Sequence, residues 1–294
     1  MIKMLDRYFK ITQRGSSVKT ELAAGLATGL AMIYIVAVIP SILGTVGGVM
    51  AQNAAFTSVI LVTVIATLIM GLWANVPVVV SVGLGLNAYF AFVVCGAMGF
   101  EPQVGLAAIL LEGILFFIVS VCGLRDIIVR AIPAGLKTGI AVSIGVFIAL
   151  IGLVSGGVVV AHPSTIVSFA DFTSPGPALL TFIGLILIIV MHARKVPGGI
   201  IIAIALTTLI GIPMGVTAIP QNFKAFSLPQ APNLFQFDFS QLFTARFALV
   251  FVTLAIANFF DAVGTLTSVL SISKLTNKEG NFPNIKQAYV ADSL

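Results

Sequence analysis

Two acidic residues stand inside long apolar stretches of the chain, and both have side chains that could do chemistry. Asp261 lies in the apolar run from about Phe247 to Val269, and Glu112 lies in the segment Ile109-Leu110-Leu111-Glu112-Gly113. Insertion scales put the free-energy cost of an Asp at the centre of a bilayer at about 2.5 to 3.5 kcal/mol, and acids in such segments usually mark ion or substrate pathways. The sequence therefore singles out Asp261 and Glu112 as functional candidates.

The neighbours of Asp261 are suited to holding a planar ligand. Phe260 offers an aromatic face, Gly264 allows close approach of the backbone, and Thr265 adds a hydroxyl. We predict that Asp261, Phe260 and Thr265 bind substrate. The alternative for Asp261 is an acid that is paired only to stabilise helix packing.

Glu112 is predicted to take part in proton coupling, together with Asp261. A carboxyl group in a low-dielectric environment favours its protonated form, so it could exchange a proton near neutral pH. The alternative is a protonated glutamate that is hydrogen-bonded between two helices.

A glycine-rich stretch is the second candidate part of a site. Gly83-Leu84-Gly85-Leu86-Asn87 follows the β-branched, proline-containing stretch of residues 76–82, which predicts extended backbone and then the start of a half-helix. Non-helical backbone at membrane depth is tolerated where it lines a cavity or is buried in protein, and the half-helix would direct free N–H groups there. Gly83, Gly85 and Asn87 are therefore predicted to bind substrate, with an interhelical hydrogen bond as the alternative for Asn87.

The composition places these residues in a membrane protein. Of the 294 residues, 59% are hydrophobic and 9% are charged, against about 25% charged residues in soluble domains. Cys95 and Cys122 form no CxxC pair, His162 and His192 lie in predicted loops on opposite sides, and the sequence contains no GxSxG or HExxH motif. We expect no catalytic residue, no metal and no cofactor, so the chain is predicted not to be an enzyme.

Eight segments are candidate membrane spans, since a span needs about 20 mostly apolar residues. They lie near residues 22–43, 54–72, 76–97, 103–123, 138–154, 177–191, 198–219 and 247–270. Most of the fifteen basic residues precede the first span, follow the eighth or lie in alternate connections. The positive-inside rule then places the N-terminus in the cytoplasm. The same distribution explains the net charge of +5 without a nucleic-acid partner.

The motifs together resemble one transporter family. The runs Met70-Gly71-Leu72-Trp73-Ala74-Asn75-Val76-Pro77, Gly83-Leu84-Gly85-Leu86-Asn87-Ala88 and Phe259-Phe260-Asp261 with Val263-Gly264-Thr265 are similar to those of the nucleobase-cation symporters. The likeness is greatest to the AzgA-like branch of hypoxanthine, guanine and adenine permeases, and it covers nearly the whole chain. Val82 and Ala262 depart from the residues that are common in that family, which leaves the preferred purine open.

The resemblance implies an all-α polytopic membrane protein of fourteen spans, built as an inverted repeat of seven, with a broken helix or short strand in span 3. It implies an N-terminus of residues 1–20, a first repeat of residues 21–219 with spans 1–4 in a core and 5–7 in a gate, an outer linker of residues 220–245, span 8 at residues 246–272, and a cytoplasmic loop from residue 273 onward. About eight spans would then be present, and we expect the chain to be a C-terminally truncated fragment.

The resemblance also implies a function. It is proton-coupled uptake of a purine nucleobase across the bacterial cytoplasmic membrane, in which Asn87 matches the substrate position of span 3 and Asp261 the acid of span 8. The expected partners are the purine and the lipid bilayer, with a homodimer left open. A sulfate-type anion transporter of the same architecture and a non-transporting membrane protein are the alternatives.

Overall fold

Helices dominate the computed structural model, which describes residues 2–196, 198–218, 229–272 and 284–294. The helices are α1 (Ile2–Phe9), α2 (Val18–Met32), α3 (Ile35–Gly44), α4 (Gln52–Leu68), α5 (Leu84–Ala88), α6 (Pro102–Val121), α7 (Leu124–Ala131), α8 (Ala134–Ser155), α9 (Pro177–Ala193), α10 (Gly199–Gly211), α11 (Ala245–Ile272) and α12 (Ile285–Ser293). Single 3₁₀ turns lie at Thr12–Arg14 and Gly48–Met50. Helices α4 and α5 continue as π-helical segments, Ile69–Trp73 and Tyr89–Ala97.

One antiparallel hairpin interrupts the helices, so the expectation of an all-α chain is wrong at this point. Strand β1 (Val159–His162) pairs with β2 (Ile166–Phe169), and His162 lies opposite Ile166. Half of the residues of the two strands are β-branched, which favours extended backbone over helix. His192, predicted to lie in a loop, is in the last turn of α9.

Apolar helices occupy the predicted spans. Among the described residues, four helical stretches are long and apolar enough to cross a membrane, at Val18–Gly44, Gln52–Trp73, Pro102–Val121 and Ala245–Leu266. Shorter apolar helices lie at Leu84–Ala97, Gly145–Ser155, Pro177–Ala193 and Gly199–Gly211. Large apolar side chains such as Leu22, Ile65 and Val146 are exposed on these helices, as is expected where the solvent is lipid. The count of eight spans stays a prediction.

Two of the predicted spans differ from the observed helices. The first is divided at Ile33 and Tyr34, where the Ile33 N–H bonds to the carbonyl of Leu30 in a tight turn before α3 begins. The seventh ends at Gly211 rather than near residue 219. Pro213 explains this early end, because proline restricts the residue before it and cannot donate to the helix.

The chain divides into two compact units, and one of the boundaries between them falls within α8. The first unit contains Met1–Tyr34 and Val146–Leu228. In it, α9 and α10 pack closely through small residues: a Cβ atom at Gly184 would lie 3.0 Å from Thr207 Oγ1. Small residues allow such close helix contacts where no hydrophobic effect drives helices together.

The second unit contains Ile35–Gly145 and Pro229–Leu294, and α11 is anchored in it by two apolar clusters. The cluster around the first half of α11 joins Phe247, Val250 and Leu254 to residues of α6 and of the π-helical segment after α5. The cluster around its second half joins Val263 and Leu266 to residues 70–76 and to α12. Asp261 lies on α11 between the two. The assignment of spans to a core and a gate stays a prediction.

Helix α12 lies in a segment that was predicted to be a cytoplasmic loop, of which residues 273–283 lie outside the described part. Ala288, Tyr289 and Ala291 of α12 are buried. The Arg125 guanidinium of α7 is 2% exposed and donates to Asp292 Oδ2 at 2.8 Å and to the carbonyl of Tyr289 at 3.1 Å. Its Cζ also lies 4.7 Å from the centre of the Tyr289 ring. This ion pair, with Arg125 buried and the Asp292 side chain 25% exposed, therefore docks α12 beside α6 and α7.

We expect Asp292→Asn to destabilise the protein by about 3 kcal/mol, because it leaves the Arg125 guanidinium buried without its counter-charge. The double variant Arg125→Met with Asp292→Leu should cost less than Asp292→Asn alone, since it removes both charges. Thermal unfolding of the detergent-purified protein measures both. Lys286→Met, which removes an exposed cation of α12, is the control and should change stability by less than about 0.5 kcal/mol. A double variant less stable than Asp292→Asn would contradict the pairing.

Candidate functional site

The non-helical stretch before α5 obtains part of its hydrogen bonds from threonine side chains of α4. Thr67 Oγ1 accepts from the Val80 N–H at 3.1 Å and donates to the Val80 carbonyl at 3.1 Å. The Thr63 and Ser81 hydroxyls are 2.7 Å apart. Buried backbone groups need such partners. The predicted break in the helix is confirmed, since residues 75–83 are assigned to neither helix nor strand. The side chain of Thr67 supplies hydrogen bonds that a neighbouring strand would otherwise give.

Gly83 begins the half-helix, as predicted. Its φ of −67° and ψ of 124° are extended, and α5 starts at Leu84. These angles are open to any residue, so the requirement for glycine arises from a neighbouring side chain. A Cβ atom at position 83 would lie 3.1 Å from Asp261 Oδ2. The absence of a side chain at Gly83 therefore lets the carboxylate approach the start of α5.

Asp261 lies beside the first turn of α5. The first N–H groups of a helix have no carbonyl partner within it, and the helix dipole favours an anion at that end. The hydroxyl of Thr265, one turn later on α11, also hydrogen-bonds to Asp261. The structure thus brings Asp261, Thr265 and Gly83 together. Their role in binding substrate stays a prediction.

Asn87 and Gly85 lie within the half-helix. The Asn87 Nδ2 donates to the carbonyl of Gly83 at 2.8 Å, and so does the Asn87 backbone N–H at 3.1 Å. The Gly85 carbonyl accepts from the N–H of Tyr89. The side-chain amide N–H of Asn87 bonds within its own helix. It does not form the interhelical hydrogen bond that was the alternative for Asn87. Asn87 therefore stabilises the first turn of α5 next to Asp261.

The aromatic residues beside Asp261 have different surroundings. The Phe259 ring stacks on Phe116 of α6, with centroids 6.1 Å apart and planes at 25°. The Phe260 ring meets the edge of Phe259, with centroids 5.5 Å apart and planes at 76°. Phe259 is therefore engaged in helix packing, and half-buried Phe260 is the better candidate for stacking on a ligand.

Glu112 is 4% exposed, and its partner is Asn258 of α11. The Asn258 Nδ2 donates to Glu112 Oε1 at 2.5 Å. The structure thus shows the interhelical hydrogen bond that was the alternative for Glu112. Asn258 precedes Asp261 by about one helical turn. Glu112 therefore bonds to the turn of α11 next to the one that carries Asp261. Proton coupling through Glu112 stays a prediction.

Sequence reasoning missed Asn258, Thr67 and the Arg125–Asp292 pair. The first two share a recognisable signal, because each is a polar residue within an apolar helical segment. Such residues are expected to bond across helices. Their partners lie far away in the sequence, however, and no local pattern identifies them.

Comparisons with known proteins identify similar sequences among permeases. A family model described as "Permease family" matches residues 19–294. The chain is 36% identical over 292 residues to adenine permease AdeP of Escherichia coli (strain K12), covering 99% of this chain and 64% of AdeP. It is 37% identical over 295 residues to guanine/hypoxanthine permease PbuO of Bacillus subtilis (strain 168), covering 97% of this chain and 66% of PbuO. The chain thus spans slightly less than two thirds of the length of these relatives.

Gly83→Ala should displace the Asp261 carboxylate, because the added methyl group would lie 3.1 Å from Oδ2 and the backbone angles themselves permit alanine. We expect a loss of about 1 kcal/mol in stability, at the low end of overpacking costs. The rate at which a hydrophobic carbodiimide labels Asp261 should also change. Peptide mass spectrometry measures this rate.

Gly113→Ala is the matched control, because a Cβ atom at Gly113 in α6 would meet no atom within 4 Å. It should leave stability and Asp261 labelling unchanged. Equal behaviour of the two variants would refute the close approach of Asp261 to Gly83.

Proposed function

The chain belongs to the permease family, and from that membership we propose that it serves the proton-coupled uptake of a purine nucleobase, hypoxanthine, guanine or adenine, across the cytoplasmic membrane. The relatives confirm the resemblance seen in the motifs, and their names are those of permeases and not of enzymes. The apolar helices agree with an integral membrane protein. The proposal concerns the activity of the whole protein, to which this chain contributes the site described above.

The observation that carries the proposal is the contact of Asp261 with the start of α5. A purine base has ring N–H donors and also ring-nitrogen or carbonyl acceptors. The Asp261 carboxylate could accept from a ring N–H, while free N–H groups of the half-helix donate to an acceptor on the same ring. Phe260 would stack on the base, a contact worth about 1 to 3 kcal/mol in nucleic-acid binders.

Proton coupling is assigned to the two intramembrane acids. Asp261 would bind the base or carry the proton, and Glu112 would exchange a second proton within α6. The positive-inside distribution of basic residues supports a cytoplasmic N-terminus. Uptake then moves the base toward the side of the membrane on which most of the basic residues lie. Movement of a gate against a core that holds Asp261 and Gly83 would expose the site alternately to the two sides.

The anion-transporter alternative is disfavoured. The N-terminus of a half-helix suits an anion, but the Asp261 carboxylate already lies there and would repel one. The relatives are named as adenine and guanine/hypoxanthine permeases. Inhibition of hypoxanthine uptake by free purines and not by sulfate would agree with the purine assignment.

Asp261→Asn should lower the affinity for hypoxanthine roughly ten- to a hundredfold, because it replaces a charge-assisted hydrogen bond by a neutral one. The measurement is proton-driven uptake of radiolabelled hypoxanthine in cells that express the complete gene. Asp171→Asn, in an exposed loop, is the matched control and should behave like the wild type. Undiminished uptake by Asp261→Asn would refute the proposed site.

Glu112→Gln should flatten the pH dependence of uptake, because it removes a titrating group but keeps an acceptor for Asn258. The initial rate is compared between about pH 5 and 8, where uptake by the wild type should rise as protons become more available. Glu101→Gln, at the exposed start of α6, is the control. An unchanged pH profile for Glu112→Gln would exclude Glu112 as a proton site.

A further inference from the structure

Two consecutive residues of α11 contact two residues of α6 that are one turn apart. Asn258 donates to Glu112, and Phe259 stacks on Phe116. Glu112 and Phe116 are four positions apart and therefore lie on the same face of α6. The contact is thus made at two points, and Asp261 follows it within one turn of α11.

The two points constrain α11 differently from the apolar clusters around its ends. Hydrophobic contacts are non-directional and tolerate sliding or rotation of a helix. A hydrogen bond weakens steeply when its angle departs from linearity, and a buried carboxyl group that loses its partner is strongly penalised. The bond between Asn258 and buried Glu112 therefore selects one rotation of α11 about its axis.

The rotation of α11 matters because Asp261 has little tolerance at Gly83. Side-chain atoms lie about 5 Å from a helix axis, so a rotation of about 20° moves them by roughly 2 Å. Functional groups need to be held within about 0.5 Å and 10–20° of their productive geometry. Loss of the rotational constraint would move the carboxylate away from the start of α5.

We propose that Asn258 is a positioning residue for purine binding: through its hydrogen bond to Glu112 it holds the rotation of α11 that directs Asp261 to Gly83. The inference rests on the proposed function, since the purpose of that rotation is the placement of the Asp261 carboxylate for a base.

Two further charged residues lie near the pair of Asn258 and Glu112. Arg125 of α7 and Asp292 of α12 act electrostatically on Glu112, and Asp292 also acts on Asp261. Arg125 and Asp292 are paired with each other at 2.8 Å. Substitutions at Asn258 leave that ion pair intact, so their effects report on the bond to Glu112.

Asn258→Leu tests the proposal, because leucine has the same branched side-chain skeleton and no donor. Two quantities are measured on the detergent-purified product of the complete gene. One is the rate at which a hydrophobic carbodiimide labels Asp261 without ligand, and the other is the hypoxanthine concentration that halves this rate. We expect the ligand-free labelling rate to change at least fivefold and the protecting concentration to rise at least tenfold.

The exchanged pair Glu112→Gln with Asn258→Asp is the second variant, and it keeps the test informative if Asn258→Leu does not fold. The exchange preserves both side-chain lengths and an amide–carboxyl hydrogen bond, while moving the carboxyl from α6 to α11. Labelling of Asp261 and protection by hypoxanthine should return to within about threefold of the wild type. Thr253→Val, an isosteric loss of a polar group on the same helix, is the control and should match the wild type within about twofold.

Labelling and protection within twofold of the wild type in Asn258→Leu would overturn the proposal, and so would an exchanged pair as impaired as Asn258→Leu. Absence of hypoxanthine protection in the wild type, together with normal uptake by Asp261→Asn, would instead contradict the proposed function. In that case the ligand-free labelling rate of Asp261 still decides whether Asn258 holds the rotation of α11.

Discussion

The contact between the Asp261 carboxylate and the start of α5 depends on a stretch of backbone that is neither helical nor paired with a strand. Each N–H and carbonyl group at membrane depth needs a partner within the protein, since lipid offers none. Thr67 supplies one partner to each of the two polar groups of Val80. This arrangement allows the chain to cross part of the unit in extended form and to begin a helix where Gly83 leaves room for a side chain of α11.

Helix α11 joins the two apolar clusters of the second unit. Apolar clusters hold its two halves, and the polar and aromatic contacts with α6 lie between them. This order separates two tasks. The clusters supply most of the packing free energy, while the bond between Asn258 and Glu112 supplies direction. Asp261 lies at the boundary, where a change in either would alter its position.

Several polar groups in the described part of this unit are arranged in pairs. Glu112 bonds with Asn258, Arg125 with Asp292, and Thr67 with the Val80 backbone. Pairing limits the cost of burying these groups, because a partner replaces the water that each has lost. Asp261 has the Thr265 hydroxyl and the open end of a half-helix instead. An acid placed among donors that a ligand can also use is better suited to exchange than one in a closed ion pair.

The sequence by itself determined which residues are costly to bury in a membrane and where the backbone stops being helical. Asp261 and Glu112 stand out because an acid in an apolar run can be recognised locally, and the β-branched stretch before Gly83 predicts extended backbone followed by a helix. The hairpin of β1 and β2, the early end of α10 and the helix α12 were missed, because a membrane hydropathy pattern does not define helix ends or short elements outside the spans.

Only the tertiary structure decided which polar groups bond to each other. Glu112 and Asn258 are 146 positions apart, and Arg125 and Asp292 are 167 apart. Their pairing depends on how α6, α7, α11 and α12 cross, which is set by the fit of many apolar side chains at once. The local sequence contains the donors and acceptors, but the distances and directions that turn them into bonds exist only after the helices have packed.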